Sequence, residues 1–155
     1  MTKNQPITYK TALLALKAGI VVPINIFDNV SYYNYKGVLR GDSTEAIKHR
    51  KDDPNEYANI PAPTQYLLKT IIRGKYNIHI HVPIDFFNNK VTYSCGLVDN
   101  RDNKFIEIEV QLSKYGTTYY EDNEEDALEK GLQAALILLI NEGNVTFSSK
   151  IRITI

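Results

Sequence analysis

A chain of 155 residues with 43% hydrophobic and 23% charged side chains can bury one core with a smaller appendage, which argues against wholesale disorder. Lysine plus arginine and aspartate plus glutamate each number 18, for a formal net charge of zero. A protein that coats a nucleic-acid duplex needs surplus cations to displace counterions from the phosphates, so that class is set aside. The single Cys95 cannot close an internal disulfide, no stretch approaches the ~20 apolar residues of a membrane span, and Met1 to Pro6 lack the apolar core of a signal peptide. The expectation is an intracellular protein with no membrane association and no disulfide framework.

Residues 7–19 predict a short helix, capped by Thr8, striped by Ala12, Leu13 and Leu16, and stopped by Gly19. Ile20 to Phe27 predicts an edge strand, because Pro23 cannot donate to a ladder. After the Asp28-Asn29 turn, Ser31 to Leu39 predicts a second strand carrying Tyr32, Tyr33 and Tyr35. Residues 1–45 thus form an N-terminal helix and hairpin. The polar stretch that follows offers a helix start at Asp42 and Glu45, then a stop at Asp53-Pro54. Residues 46–61 read as a polar linker.

Residues 62–142 form the expected core. Pro63 suits a first helical position, Leu67, Leu68, Ile71 and Ile72 share one face, and Gly74 marks the stop. Ile78, Ile80 and Val82 alternate with Asn77, His79 and His81. Asn88-Asn89 is a turn. Val91, Tyr93, Cys95 and Leu97 then oppose Thr92 and Ser94. A second turn at 99–103 leads to Ile106, Ile108, Val110 and Leu112, alternating with Glu107, Glu109 and Gln111. Three strands with one apolar and one polar face call for a cover. The final helix supplies it, with Asp122 and Glu125 as a capping box and with Leu128, Gly131, Leu132, Ala135, Leu136 and Leu139 inward. Gly131 costs about 1 kcal/mol against alanine in mid-helix, so it predicts a close contact with the sheet or the first helix. Residues 143–155 read as a C-terminal hairpin turning at Ser148-Ser149. The expected fold is α+β, an antiparallel three-stranded sheet covered on one face by two helices, flanked by N- and C-terminal hairpins.

His79 and His81 share a strand face and can chelate, but a zinc site wants a third ligand. In a meander Glu107 and Glu109 lie two strands away, roughly 9–10 Å. No nucleophile beside an oriented base and no glycine-rich phosphate loop is present, so neither an enzyme nor a cofactor is expected. Eleven tyrosines and no tryptophan leave Tyr32, Tyr33 and Tyr35 clustered before Arg40, where rings can stack on a base while the guanidinium meets a phosphate. A second cluster is Tyr115, Tyr119 and Tyr120. The bland alternative is that tyrosine suits half-exposed strands.

Helix, three strands, helix is also the order of the double-stranded RNA-binding domain. The turn before the last helix is acidic here (Glu121, Asp122, Glu124, Glu125, Asp126), so only topology is shared. Ala62-Pro63-Thr64-Gln65, Leu67-Leu68, Asn77-Ile78-His79-Ile80 and the run from Glu124 to Leu132 resemble small phage and prophage proteins of unassigned function. That resemblance implies a viral accessory protein in the host cytoplasm. Ile7-Thr8-Tyr9, Ala12-Leu13 and Leu16-Lys17-Ala18-Gly19 resemble the first helix of phage Thoeris anti-defence sponges, although no tryptophan follows. Those proteins hold a cyclic nucleotide-like immune signal without cleaving it. The reading carried forward is a non-enzymatic phage accessory protein, expected to be a homo-oligomer, that sequesters a small nucleotide-like signal. Tyr33, Tyr35 and Arg40 would form one wall, with His79 and His81 as secondary candidates. The alternative is an inhibitor or adaptor that binds a host protein.

Overall fold

The computed structural model describes residues 5–22, 31–34, 36–41, 60–103, 105–111, 121–141 and 151–154. Among these it is a mixed α+β protein with three α-helices and small, separate sheets. The chain divides into two compact units, Thr2–Leu68 and Lys69–Ile155, each taken by itself below.

In the first unit α1 (Tyr9–Lys17) begins where the Thr8 hydroxyl accepts the Thr11 N–H at 3.3 Å. It ends in a Schellman arrangement: Gly19, at φ 70°, donates to the Leu16 carbonyl while Ile20 donates to that of Ala15. The expected strand from Ser31 to Leu39 is itself a hairpin. β1 (Ser31–Tyr33) turns back into β2 (Leu39–Arg40), because the Asn34 side chain accepts the N–H groups of Lys36 and Val38 and Gly37 takes φ 72°. β3 (Ile60–Ala62) pairs antiparallel on the other side of β1. Ile7, Ala12, Ala15, Tyr33, Ile60, Ala62 and Leu68 are buried. Of the strand expected over Ile20 to Phe27, Ile20 to Val22 carry no strand and the remainder, with Asp28-Asn29, lies outside the described residues. The helix expected near Asp42 and Glu45 also lies outside them.

The division between units falls inside α2 (Gln65–Tyr76). Thr64 caps this helix, its hydroxyl accepting the Leu67 N–H at 3.2 Å, so Pro63, expected at the first helical position, lies before the cap. The Pro63 carbonyl instead accepts the Ile7 N–H. The helix runs through Gly74 and stops at Asn77, which adopts φ 55° and donates to the Arg73 carbonyl.

Between the second and third helices the described residues form five strands in two sheets, where three in one sheet were expected. β4 (Ile78–His81) pairs with β7 (Gly96–Asp99), which pairs with β8 (Ile106–Gln111). β5 (Ile84–Phe87) and β6 (Lys90–Tyr93) form a separate two-stranded hairpin. The expected strand from Val91 to Leu97 breaks at Ser94 and Cys95, and its halves join different sheets. Side chains on β6 are reversed from expectation, with Thr92 buried and Val91 exposed. α3 (Glu124–Ile140) packs on β4, β7 and β8. Its cap is Asn123, one residue later than expected, exchanging hydrogen bonds with Asp126. β9 (Ile151–Thr154) lies parallel to β8 at the sheet edge, so the last strand belongs to the main sheet. Gly143 and Ser148-Ser149 lie outside the described residues.

Burial on β4 follows its alternation, with Ile78 and Ile80 inside and His79 outside. Ile80, Leu97 and Ile108 stand opposite one another across three strands, all buried beneath α3. Gly131 is the contact point. A Cβ there would collide with Cys95 Sγ and lie 2.7 Å from Ile80 Cγ2. Gly131→Ala gains about 1 kcal/mol of helix propensity. Overpacking two short, buried side chains costs about 1–3 kcal/mol, so the net change is destabilising. Urea denaturation should show this loss, and Cys95→Ala combined with Gly131→Ala should be less unstable than the sum of the single changes.

Candidate functional site

Three surfaces carry the candidate residues. In the first unit Tyr33 is buried, its hydroxyl donating to the Ile7 carbonyl at 2.8 Å and its ring meeting Tyr9 edge-to-face at 5.3 Å. Gly37 closes this cluster, since a Cβ there would lie 3.1 Å from the Tyr9 ring. The register places Tyr33 opposite Leu39 and Tyr32 opposite Arg40. Tyr33 and Arg40 therefore point to opposite faces of the sheet, and the exposed Arg40 shares its face with Tyr32. The half-buried Tyr32 packs against Val22, as do Ile20 and Leu67. Tyr35, Tyr115, Tyr119 and Tyr120 lie outside the described residues.

In the second unit His79 and His81 do share the polar face of β4. The His79 Nε2 lies 3.0 Å from the Asn77 Oδ1, whose amide in turn donates to the Asn100 carbonyl. His81 is folded over β7 onto bare backbone: a Cβ on Gly96 would lie 2.5 Å from its Nε2. Glycine in this strand is what leaves room for the imidazole. β7 separates β4 from β8, so Glu107, opposite Val98, is two strands from His79. Among the described residues no group of three or more histidine, cysteine, aspartate or glutamate side chains is placed to hold a metal ion. Cys95 is buried, and burial pushes its thiol up to about 12, which keeps it protonated and unreactive.

The third surface is the β5–β6 hairpin, which was not among the sequence candidates. Ile84 stands opposite Tyr93 and Phe86 opposite Val91, so the four share one face. Ile84 is 72% exposed, Phe86 69% and Val91 47%. The signal was present in the sequence, in Ile84-Asp85-Phe86 and Val91-Thr92-Tyr93 set symmetrically about Asn88-Asn89. With Ile84 assigned to no strand and Val91 placed on the apolar face, the pairing of the two segments was hidden. At the hairpin base, Tyr93 and Glu121 exchange two backbone hydrogen bonds. Burial and the nearby Asp126 and Asp122 raise the Glu121 carboxyl, opposed by Lys130.

Comparisons with protein-family models, with curated proteins and with solved structures find no match. Among the described residues no helix is long and apolar enough to cross a membrane.

The turn from β7 to β8 is held electrostatically. Asp99, 3% exposed, accepts from Arg101 Nε at 2.9 Å, Nη2 at 2.7 Å and the backbone N–H at 3.0 Å. Burial pushes its carboxyl up, but the hydrogen bonds and charge of Arg101 outweigh this and hold it below the ordinary value. A lowered folded-state value gives stability that is complete above the unfolded carboxyl range and is lost as pH falls through the folded value. Asp99→Asn should therefore cost about 1.5–3 kcal/mol at pH 7. In thermal melts across a pH series, the gap between variant and parent should close below about pH 4, the unfolded aspartate value.

Proposed function

We propose that this chain is a non-catalytic accessory protein, of the phage kind its sequence resembles, that acts by binding a host protein through the β5–β6 hairpin. The observation that carries this reading is the exposure of Ile84 and Phe86 beside Val91 on one face of a two-stranded ribbon. Scattered apolar residues on a surface need no explanation, but adjoining ones on one small element mark an interaction surface. An aromatic anchor such as Phe86 is the type of side chain that dominates binding energy at an interface. The test is capture from host lysate on immobilised parent protein and on the Ile84→Ser/Phe86→Ser variant. The variant should retain its fold by circular dichroism and lose the captured protein. Equal capture by both would refute the hairpin as the contact.

The nucleotide-sequestering reading is kept for one observation, the placement of the half-buried Tyr32 opposite the exposed Arg40 on one face of the sheet. A ring and a guanidinium on one face suit a base and a phosphate. On this reading Arg40, with Tyr32 in the place expected for Tyr33, holds a cyclic nucleotide-like signal, and heat denaturation returns it intact. Thermal shift with a panel of cyclic nucleotides should show stabilisation that Arg40→Ala removes. No shift with any of them would exclude the sponge.

A further inference from the structure

The backbone of the same hairpin says more than its apolar face. Asn88 and Asn89 both have positive φ, 51° and 59°, so β5 and β6 are joined by a two-residue type I′ turn. Such a turn closes on a hydrogen-bonded pair, here Phe87 with Lys90, and bonded pairs then alternate. Asp85 and Thr92 form the next bonded pair. Ile84 and Phe86 on β5, with Val91 and Tyr93 on β6, turn their backbone N–H and C=O groups outward. Tyr93 follows this rule, since its outward N–H donates to the Glu121 carbonyl at 3.0 Å and its carbonyl accepts the Glu121 N–H at 2.8 Å. At that point the outer edge of β6 is occupied.

The outer edge of β5 differs. The outward N–H of Phe86 is met by the carboxylate of the residue before it, Asp85 Oδ1 at 2.9 Å. Ile84, Asp85 and Phe86 are all exposed. An exposed edge is a template for another strand, and an acceptor folded onto its own edge amide is a removable cover over that template.

We propose that the outer edge of β5 takes up an extended segment of the partner protein as a third, antiparallel strand, and that Asp85 selects segments carrying lysine or arginine opposite it. This rests on the protein-binding reading above and names the chemistry of the partner. Strand addition couples main-chain hydrogen bonds with alternating side-chain contacts. Guest residues opposite Ile84 and Phe86 share their apolar face and must be apolar themselves. The guest residue between them stands opposite Asp85. To free the Phe86 N–H, the Asp85 carboxylate must swing away, and a cation across the strand gives it a new partner. An acidic guest residue repels it and leaves the edge covered.

The same geometry disfavours a second copy of this chain as the guest. In a β5–β5 pair about a twofold axis, facing residues lie on the same side of the sheet, so their numbers sum to an even value. Asp85 would then face Pro83, Asp85, Phe87 or Asn89, none of them a cation.

Fluorescence anisotropy with the full chain and labelled synthetic peptides tests this. The peptide Ser-Thr-Ile-Lys-Phe-Thr-Ser should bind to saturation, and its counterpart with glutamate for lysine about two- to thirtyfold more weakly, the scale of one cross-strand charge reversal. Asp85→Lys should reverse that order. Methylating the isoleucine and phenylalanine amide nitrogens of the peptide removes the donors that face β5 and should abolish binding. Absence of binding at millimolar peptide, equal affinity for the lysine and glutamate forms, or undiminished binding of the methylated peptide would each overturn the proposal. So would a dimer in sedimentation velocity that Phe86→Ser dissolves. If these peptides fail while Ile84→Ser/Phe86→Ser still abolishes capture of a host protein, the hairpin reading stands and strand addition alone is wrong.

Discussion

The close approach of α3 to the sheet at Gly131 is the constraint from which the second unit follows. With no side chain at that position, Cys95 and the end of Ile80 fit directly under the helix. Ser94 and Cys95 lie outside the strands, and the chain rejoins the main sheet at Gly96. Residues 84–93 stand outside that sheet and pair with each other. Close packing at one point and the separate hairpin thus meet at the same short break in the chain.

Carboxylates near the strand ends serve different ends according to what faces them. Asp99 is buried and held by a guanidinium from its own turn, which fixes the β7–β8 connection. Asp85 is exposed and covers a backbone amide that water can also satisfy, so its hydrogen bond is readily exchanged. Rigidity in one place and exchangeability in the other suit a scaffold that presents a binding edge.

Local chemistry was legible in the sequence and long-range pairing was not. Thr8, Gly19 and the Asn88-Asn89 turn act through neighbours within a few residues, and each does what its residue type implies. The inward-facing Ile78, Ile80 and Ile108 follow from period-two alternation. The failures share one cause. Val91 to Leu97 alternates well enough for one strand, but the alternation does not reveal that its two halves pair with different partners. Gly74 looked like a helix stop, whereas Asn77, three residues on, takes the left-handed conformation that ends the helix. Tyr33 and Arg40 looked like one cluster because the intervening hairpin was read as a single strand. Once the chain folds back at Asn34, they face opposite ways.

The parallel placement of β9 beside β8 has a bearing on synthesis. β8 is translated about forty residues before its outer neighbour, with all of α3 between them. While residues 151–154 are still within the ribosome, the outer backbone edge of β8 is left without its neighbouring strand, in a β-prone sequence. Such edges are where incomplete chains stick to one another. During that interval a chaperone, or simply rapid translation through the helix, would decide how many chains reach the native state.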